Sequence, residues 1–173
     1  MCKAYDYTIH GHHHHGWDHS IPPVRTVEPG SRVHFQCLDS SAGQLTRQST
    51  VADVAAMDFG KINPVTGPIY VDGAEPGDIL KVQIEAFHPS GFGWTANIPG
   101  FGLLADQFPD AHLKVWSYDP ESLAPSVFSD LARVPLKPFA GTIGVAPAEA
   151  AGTGDLPSDA RPSAAGAAAM AAG

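Results

Sequence analysis

Glu-Pro-Gly occurs twice in this chain, at 28–30 and 75–77, and each copy runs into a strand-like stretch. Proline presets φ near −65° and the glycine after it accepts positive φ, which suits the two centres of a type II turn. The second turn follows Ile69, Tyr70 and Val71, all β-formers, and precedes residues 79–87, Ile-Leu-Lys-Val-Gln-Ile-Glu-Ala-Phe. From Leu80 that run alternates apolar and polar, as a strand with one wet face does. The first turn feeds residues 32–37, Arg-Val-His-Phe-Gln-Cys. A chain reversed twice by one device predicts a mainly β body over 20–146, built from hairpins.

One helix interrupts the pattern, over 50–59. Thr50 is its cap, Asp53 lies at the third helical position and Gly60 is the stop. Val51, Val54, Ala55 and Phe59 give an apolar stripe for packing on the sheet. Residues 88–102 are rich in glycine, proline and aromatics and read as a loop. Such a loop either walls a small pocket or packs on itself, and Asn97 is its polar group for holding a substrate. Further short strands are expected at 112–116 and 131–136, and the mainly β body ends at 146. Asp39 either binds a cation or makes an Asx-turn, the turn being the usual role.

The 173 residues suit one domain, and 43% hydrophobic content can build a core. The 18 glycines and 16 prolines favour turns and short strands over long helices. A net charge of −8 argues against nucleic acid or an anionic membrane as partner. No stretch approaches the ~18 apolar residues of a membrane helix. The start Met1-Cys2-Lys3-Ala4-Tyr5-Asp6 has no apolar leader region. Cys2 and Cys37 form no Cys-x-x-Cys, so they read as free thiols in a reducing cytoplasm.

Six of the nine histidines fall between His10 and His19. They are either a solvated polar loop or metal ligands, since neutral imidazole suits zinc, nickel or copper. In an extended segment His13 and His15 share a face, and Asp18 joins them if the chain bends at Gly16. These three are the candidate ligands. No Gly-x-Ser-x-Gly elbow and no cysteine nucleophile motif supports a covalent mechanism.

Several separate motifs, in order, resemble the acetamidase/formamidase family. They are Gly16-Trp17-Asp18-His19-Ser20-Ile21-Pro22-Pro23, Asn63-Pro64-Val65-Thr66-Gly67-Pro68, Gly73-Ala74-Glu75-Pro76-Gly77-Asp78, Pro99-Gly100-Phe101-Gly102-Leu103-Leu104 and Ile143-Gly144-Val145-Ala146-Pro147. The resemblance runs from about His10 to Glu149. It implies a β-sandwich or barrel-like fold and a metal-associated hydrolase of small amides. Formamide or acetamide would be the substrate, and a divalent metal the cofactor, zinc in the first place and calcium otherwise. Metal-activated water would attack the amide carbonyl, with Glu75 or Glu149 as the general base that passes the proton to the leaving nitrogen. The plain alternatives are a turn carboxylate for Glu75 and a solvated residue for Glu149. His19 stands where the family usually has Asn.

The expected division is a β domain over 1–149 and a tail over 150–173 of mostly Ala, Gly, Ser and Pro, without an aromatic residue. That composition buries too little apolar area to offset ordering entropy, so the tail is expected to be disordered. The family's later Pro-Pro-Arg-Arg and Gly-Gly-Asn stretches are missing, as a truncated or frameshifted reading would leave them. The second expectation is therefore a catalytically silent module that binds metal or a partner. Strand edges left open would also be compatible with a homo-oligomer.

Overall fold

The computed structural model describes residues 4–147. Glu149 and the 150–173 segment lie outside the described residues.

Among the described residues the body is built from ten short strands. They are β1 (Tyr7–Ile9), β2 (His13–His14), β3 (Arg25–Val27), β4 (Val33–Phe35), β5 (Val65–Thr66), β6 (Ile69–Val71), β7 (Phe92–Asn97), β8 (His112–Ser117), β9 (Ser126–Phe128) and β10 (Ala132–Val134). They pair two by two. β1 runs parallel to β4 with Thr8 opposite His34, and β3 runs parallel to β6 with Thr26 opposite Tyr70. β2 lies antiparallel to β5, β7 to β8 and β9 to β10. No helix among the described residues is long and apolar enough to cross a membrane.

Both Glu-Pro-Gly turns form as expected. Asp78 N donates to Glu75 O at 3.1 Å with Gly77 at φ +104°, and Ser31 N donates to Glu28 O at 3.1 Å with Gly30 at φ +84°. The first turn separates β3 from β4, and the second follows β6. Residues 79–87 depart from expectation, because no ladder pairs them among the described residues. Alternation supplies a strand with a face; it does not supply the neighbour that completes its hydrogen bonds.

The core lies where the helix meets the longest hairpin. Leu45, Val54 and Met57 are buried, with Trp94, Ala96, Ile98 and Leu113 packed against them. The helix α1 (Val51–Ala55) is shorter than the sequence suggests. Ala56 is its C-cap, and a separate 3-10 turn follows at Phe59–Lys61, where the Asp58 carboxylate accepts from Gly60 N at 2.9 Å. Gly60 is thus not the stop. A single helical turn buries one point of the expected stripe: Val54 is 0% exposed while Val51 and Phe59 face solvent, and Met57 fills the core instead.

A further correction concerns β7. The middle of the expected 88–102 loop is β7, whose Trp94 and Ala96 face the core. Gly91 and Gly93 disguise it. Gly91 has φ +78°, and a Cβ there would lie 2.8 Å from Tyr118 O, so the backbone itself fills the site.

Candidate functional site

β2 carries the start of the histidine-rich arm. His13 lies opposite Thr66 in the β2–β5 ladder, with its Nδ1 3.3 Å from Thr66 Oγ1. It is half-buried, and burial, with the His12, His15 and His14 imidazoles close by, holds its pKa below the ordinary 6.5. His13 is therefore a neutral imidazole at neutral pH, the form that binds metals or accepts a proton.

The neighbouring rings have their tautomers fixed by carbonyls. Nδ1–H of His14 donates to Gly16 O at 2.7 Å, that of His15 to Ile62 O at 3.3 Å and that of His19 to Pro147 O at 3.1 Å. In the neutral ring each leaves Nε2 as the lone-pair nitrogen. The chain bends at Gly16, with φ +147°, the condition for Asp18 to turn toward the histidines. Asp18 Oδ1 then accepts from Ser20 N at 2.8 Å, closing an Asx-turn.

β2 ends at His14, so the extended run that would put His13 and His15 on one face stops too early. Among the described residues no three His, Cys, Asp or Glu side chains are gathered closely enough to hold a metal. The described residues do not make a complete metal site on their own.

The arm closes against the far end of the described chain. A Cβ on Gly144 would lie 2.8–3.0 Å from the Trp17 ring, so the indole rests directly on the Gly144 backbone. Trp17 meets His14 edge-on with centroids 6.4 Å apart, and the His19–Pro147 bond fastens the same two segments. The 16–23 and 143–147 motifs, 128 residues apart at that bond, form one corner of the molecule. Sequence reasoning missed the Trp17–Gly144 contact. Its only trace is a glycine inside a motif.

The remaining candidates lie elsewhere. Glu75 is exposed at its turn, and its own N–H donates to Asp78 Oδ2 at 2.9 Å. Asn97 ends β7, and its Nδ2 donates to Phe108 O at 2.8 Å and Asp110 O at 2.6 Å, clamping the β7–β8 connection. Asp39 is buried and accepts from Ser41 N and Oγ, Gly43 N and Trp94 Nε1. It makes the expected Asx-turn and also ties that loop to β7.

The profile of the Acetamidase/Formamidase family matches residues 5–153. The acetamidase of Mycolicibacterium smegmatis is 35% identical over 118 residues, which is 61% of this chain and 29% of the relative. The formamidase of Methylophilus methylotrophus is 31% identical over 76% of this chain and 32% of its own length. The crystal structure of a recombinant predicted acetamidase/formamidase from Thermoanaerobacter tengcongensis superposes with a TM-score of 0.73 at 31% identity, covering 83% of this chain and 46% of that one. The chain thus spans about a third of the length of these curated relatives. The family profile covers most of the sequence, including every motif quoted above: the chain belongs to the Acetamidase/Formamidase family.

Proposed function

We propose that this chain serves the hydrolysis of short aliphatic amides, formamide and acetamide, to carboxylate and ammonia. The single observation that carries the reading is the corner where the imidazole-rich arm and Trp17 close on Gly144 and Pro147. Two family-like segments meet there, with His14 edge-on to Trp17 and the neutral imidazole of His13 one residue earlier on the same arm. Water attacks the amide carbonyl, the C–N bond breaks, and the proton taken from water goes to the leaving nitrogen. Glu75 or Glu149 is the proposed carrier of that proton, and Asn97 the proposed amide-facing group. A divalent metal, zinc first, would supply a Lewis acid and a more acidic water. His13 and His15 would be its donors from this chain with Asp18 beside them, a set that is incomplete among the described residues.

The test is ammonia release from both amides by the purified chain. Turnover that falls at least tenfold in Trp17→Ala and in His13→Ala supports the reading. Elemental analysis after dialysis tests the metal separately: bound zinc that persists unchanged in the His13→Ala/His15→Ala variant removes those ligands from the proposal. A second reading, a catalytically silent metal- or partner-binding β module, is favoured by the exposed apolar side chains of Ile79, Leu80, Val82 and Ile84. No ammonia from either amide decides for it.

A further inference from the structure

Three side chains outside the imidazole-rich arm meet near the start of β1. Tyr5 comes from the stretch before β1, His34 from β4 and His88 from the segment before β7. The parallel β1–β4 ladder, with Tyr7 opposite Val33, brings the first two together. The Tyr5 ring stacks on His34 with centroids 4.9 Å apart and planes 25° apart. His88 meets His34 edge-on at 6.1 Å, and its Nε2 lies 3.1 Å from the Tyr5 hydroxyl oxygen. Arg32 holds the cluster in place. Its guanidinium covers the Tyr5 ring at 5.3 Å, donates to Ala4 O at 2.9 Å and pairs with Glu85 Oε2 at 2.6 Å. The Glu85 carboxylate, with Asp6 accepting from Arg32 N at 2.7 Å, offsets the guanidinium charge beside the two imidazoles.

These separations suit ligands that share one ion. Metal–imidazole bonds are about 2.0–2.1 Å long, so two donors at a right angle on one ion stand about 3 Å apart. Tyr5 O and His88 Nε2 have that spacing. With a ring radius of ~1.2 Å, two imidazoles on one ion have centroids roughly 4.5 Å apart when adjacent and roughly 6.5 Å apart when opposite. His34 and His88, at 6.1 Å, match the opposite arrangement. Two nitrogens facing each other with an oxygen between them make a tetragonal N,O set, the geometry of Cu(II). We infer that Tyr5, His34 and His88 form a Cu(II) site, separate from His13, His15 and Asp18. The ion takes the place of the hydroxyl proton between Tyr5 O and His88 Nε2. An O–Cu bond forms, the proton goes to water, and copper keeps its oxidation state. His34 turns a nitrogen to the ion about χ2, a soft torsion. The third donor is a phenol, which agrees with the lack of a His, Cys, Asp or Glu triad among the described residues.

The experiment titrates the full chain with Cu(II) and reads its visible absorption, where a phenolate-to-copper charge-transfer band reports a tyrosine oxygen on the ion. The expected result is such a band in the parent chain. Tyr5→Phe keeps the ring and its stacking and should remove the band. His34→Gln and His88→Gln should each weaken the copper that gives it by about tenfold or more. The His13→Ala/His15→Ala variant should keep the band, because the imidazole-rich arm holds copper without a phenol. Amide exchange at 5–7 should slow on copper loading in the parent and not in Tyr5→Phe, since the ion ties that stretch to β4 and to His88. Copper bound without the band would overturn the inference. So would a band that survives Tyr5→Phe, or one lost together with His13 and His15. None of these readouts depends on amide turnover.

Discussion

At the scale of single residues, burial decides which polar groups matter. Asp39 is a carboxylate accepting four hydrogen bonds in a nearly dry site. An amide there has one acceptor oxygen and turns N–H groups toward existing donors. Asp39→Asn is expected to cost about 2–3 kcal/mol, read from urea denaturation, because hydrogen bonds to charged groups are worth roughly that much. His13 gives a pH dependence. Its folded pKa lies below 6.5, so the unfolded state binds the proton more readily. Its stabilisation is whole above pH 6.5 and is lost as pH falls toward the folded value. The Asp53 carboxylate is also depressed, by its hydrogen bonds from Thr50, but it loses its contribution only below the ordinary 3.8. Melting between pH 7 and 5 should therefore fall in the parent chain and flatten in His13→Gln, with Asp53→Asn leaving that window unchanged. The histidine density and the Gly16 bend were legible in the sequence. Ring orientations were not, because they depend on Ile62 and Pro147 carbonyls supplied from far along the chain.

At the scale of elements, local chemistry read well and partnership read poorly. The Glu-Pro-Gly turns formed because proline and glycine fix their own dihedrals. The Thr50 cap formed because Asp53 is within one turn, its carboxylate accepting from Thr50 N at 2.6 Å and Oγ1 at 2.9 Å. Helix length was misjudged because Asp58 starts a new turn before Gly60 can end the old one. β7 was missed because glycines at 91 and 93 mask an apolar row of Phe92, Trp94 and Ala96. Two substitutions separate cap from core. Thr50→Ala should cost about 1 kcal/mol, the usual worth of a cap. Leu45→Ala, in the cluster with Val54 and Met57, should cost about 2–4 kcal/mol through lost transfer energy and a cavity. Chemical denaturation with matched m-values measures both.

At the scale of the molecule, one corner fastens the two ends of the described chain. Gly144→Ala tests it with a single methyl. Gly144 φ lies outside the left-handed region, so the backbone tolerates alanine and the added Cβ acts through the Trp17 ring alone. The variant should lose about 1–3 kcal/mol by overpacking and shift Trp17 emission, while Trp17→Ala/Gly144→Ala should cost no more than Trp17→Ala. Neither motif announced this contact, since nothing in a sequence measures the gap between residues 17 and 144.

The interleaved pairing of β1 with β4, β2 with β5 and β3 with β6 also bears on how the chain is made. Each of the first three strands must wait for a partner three strands later. His13 meets Thr66 only after 53 more residues have been synthesised, about 3–10 s on a ribosome adding roughly 5–20 residues per second. β7 and β8, by contrast, close a local hairpin soon after they emerge. The imidazole-rich arm leaves the exit tunnel well before Thr66, Gly144 and Pro147, the residues that place it, and nascent-chain binding factors have seconds in which to reach it.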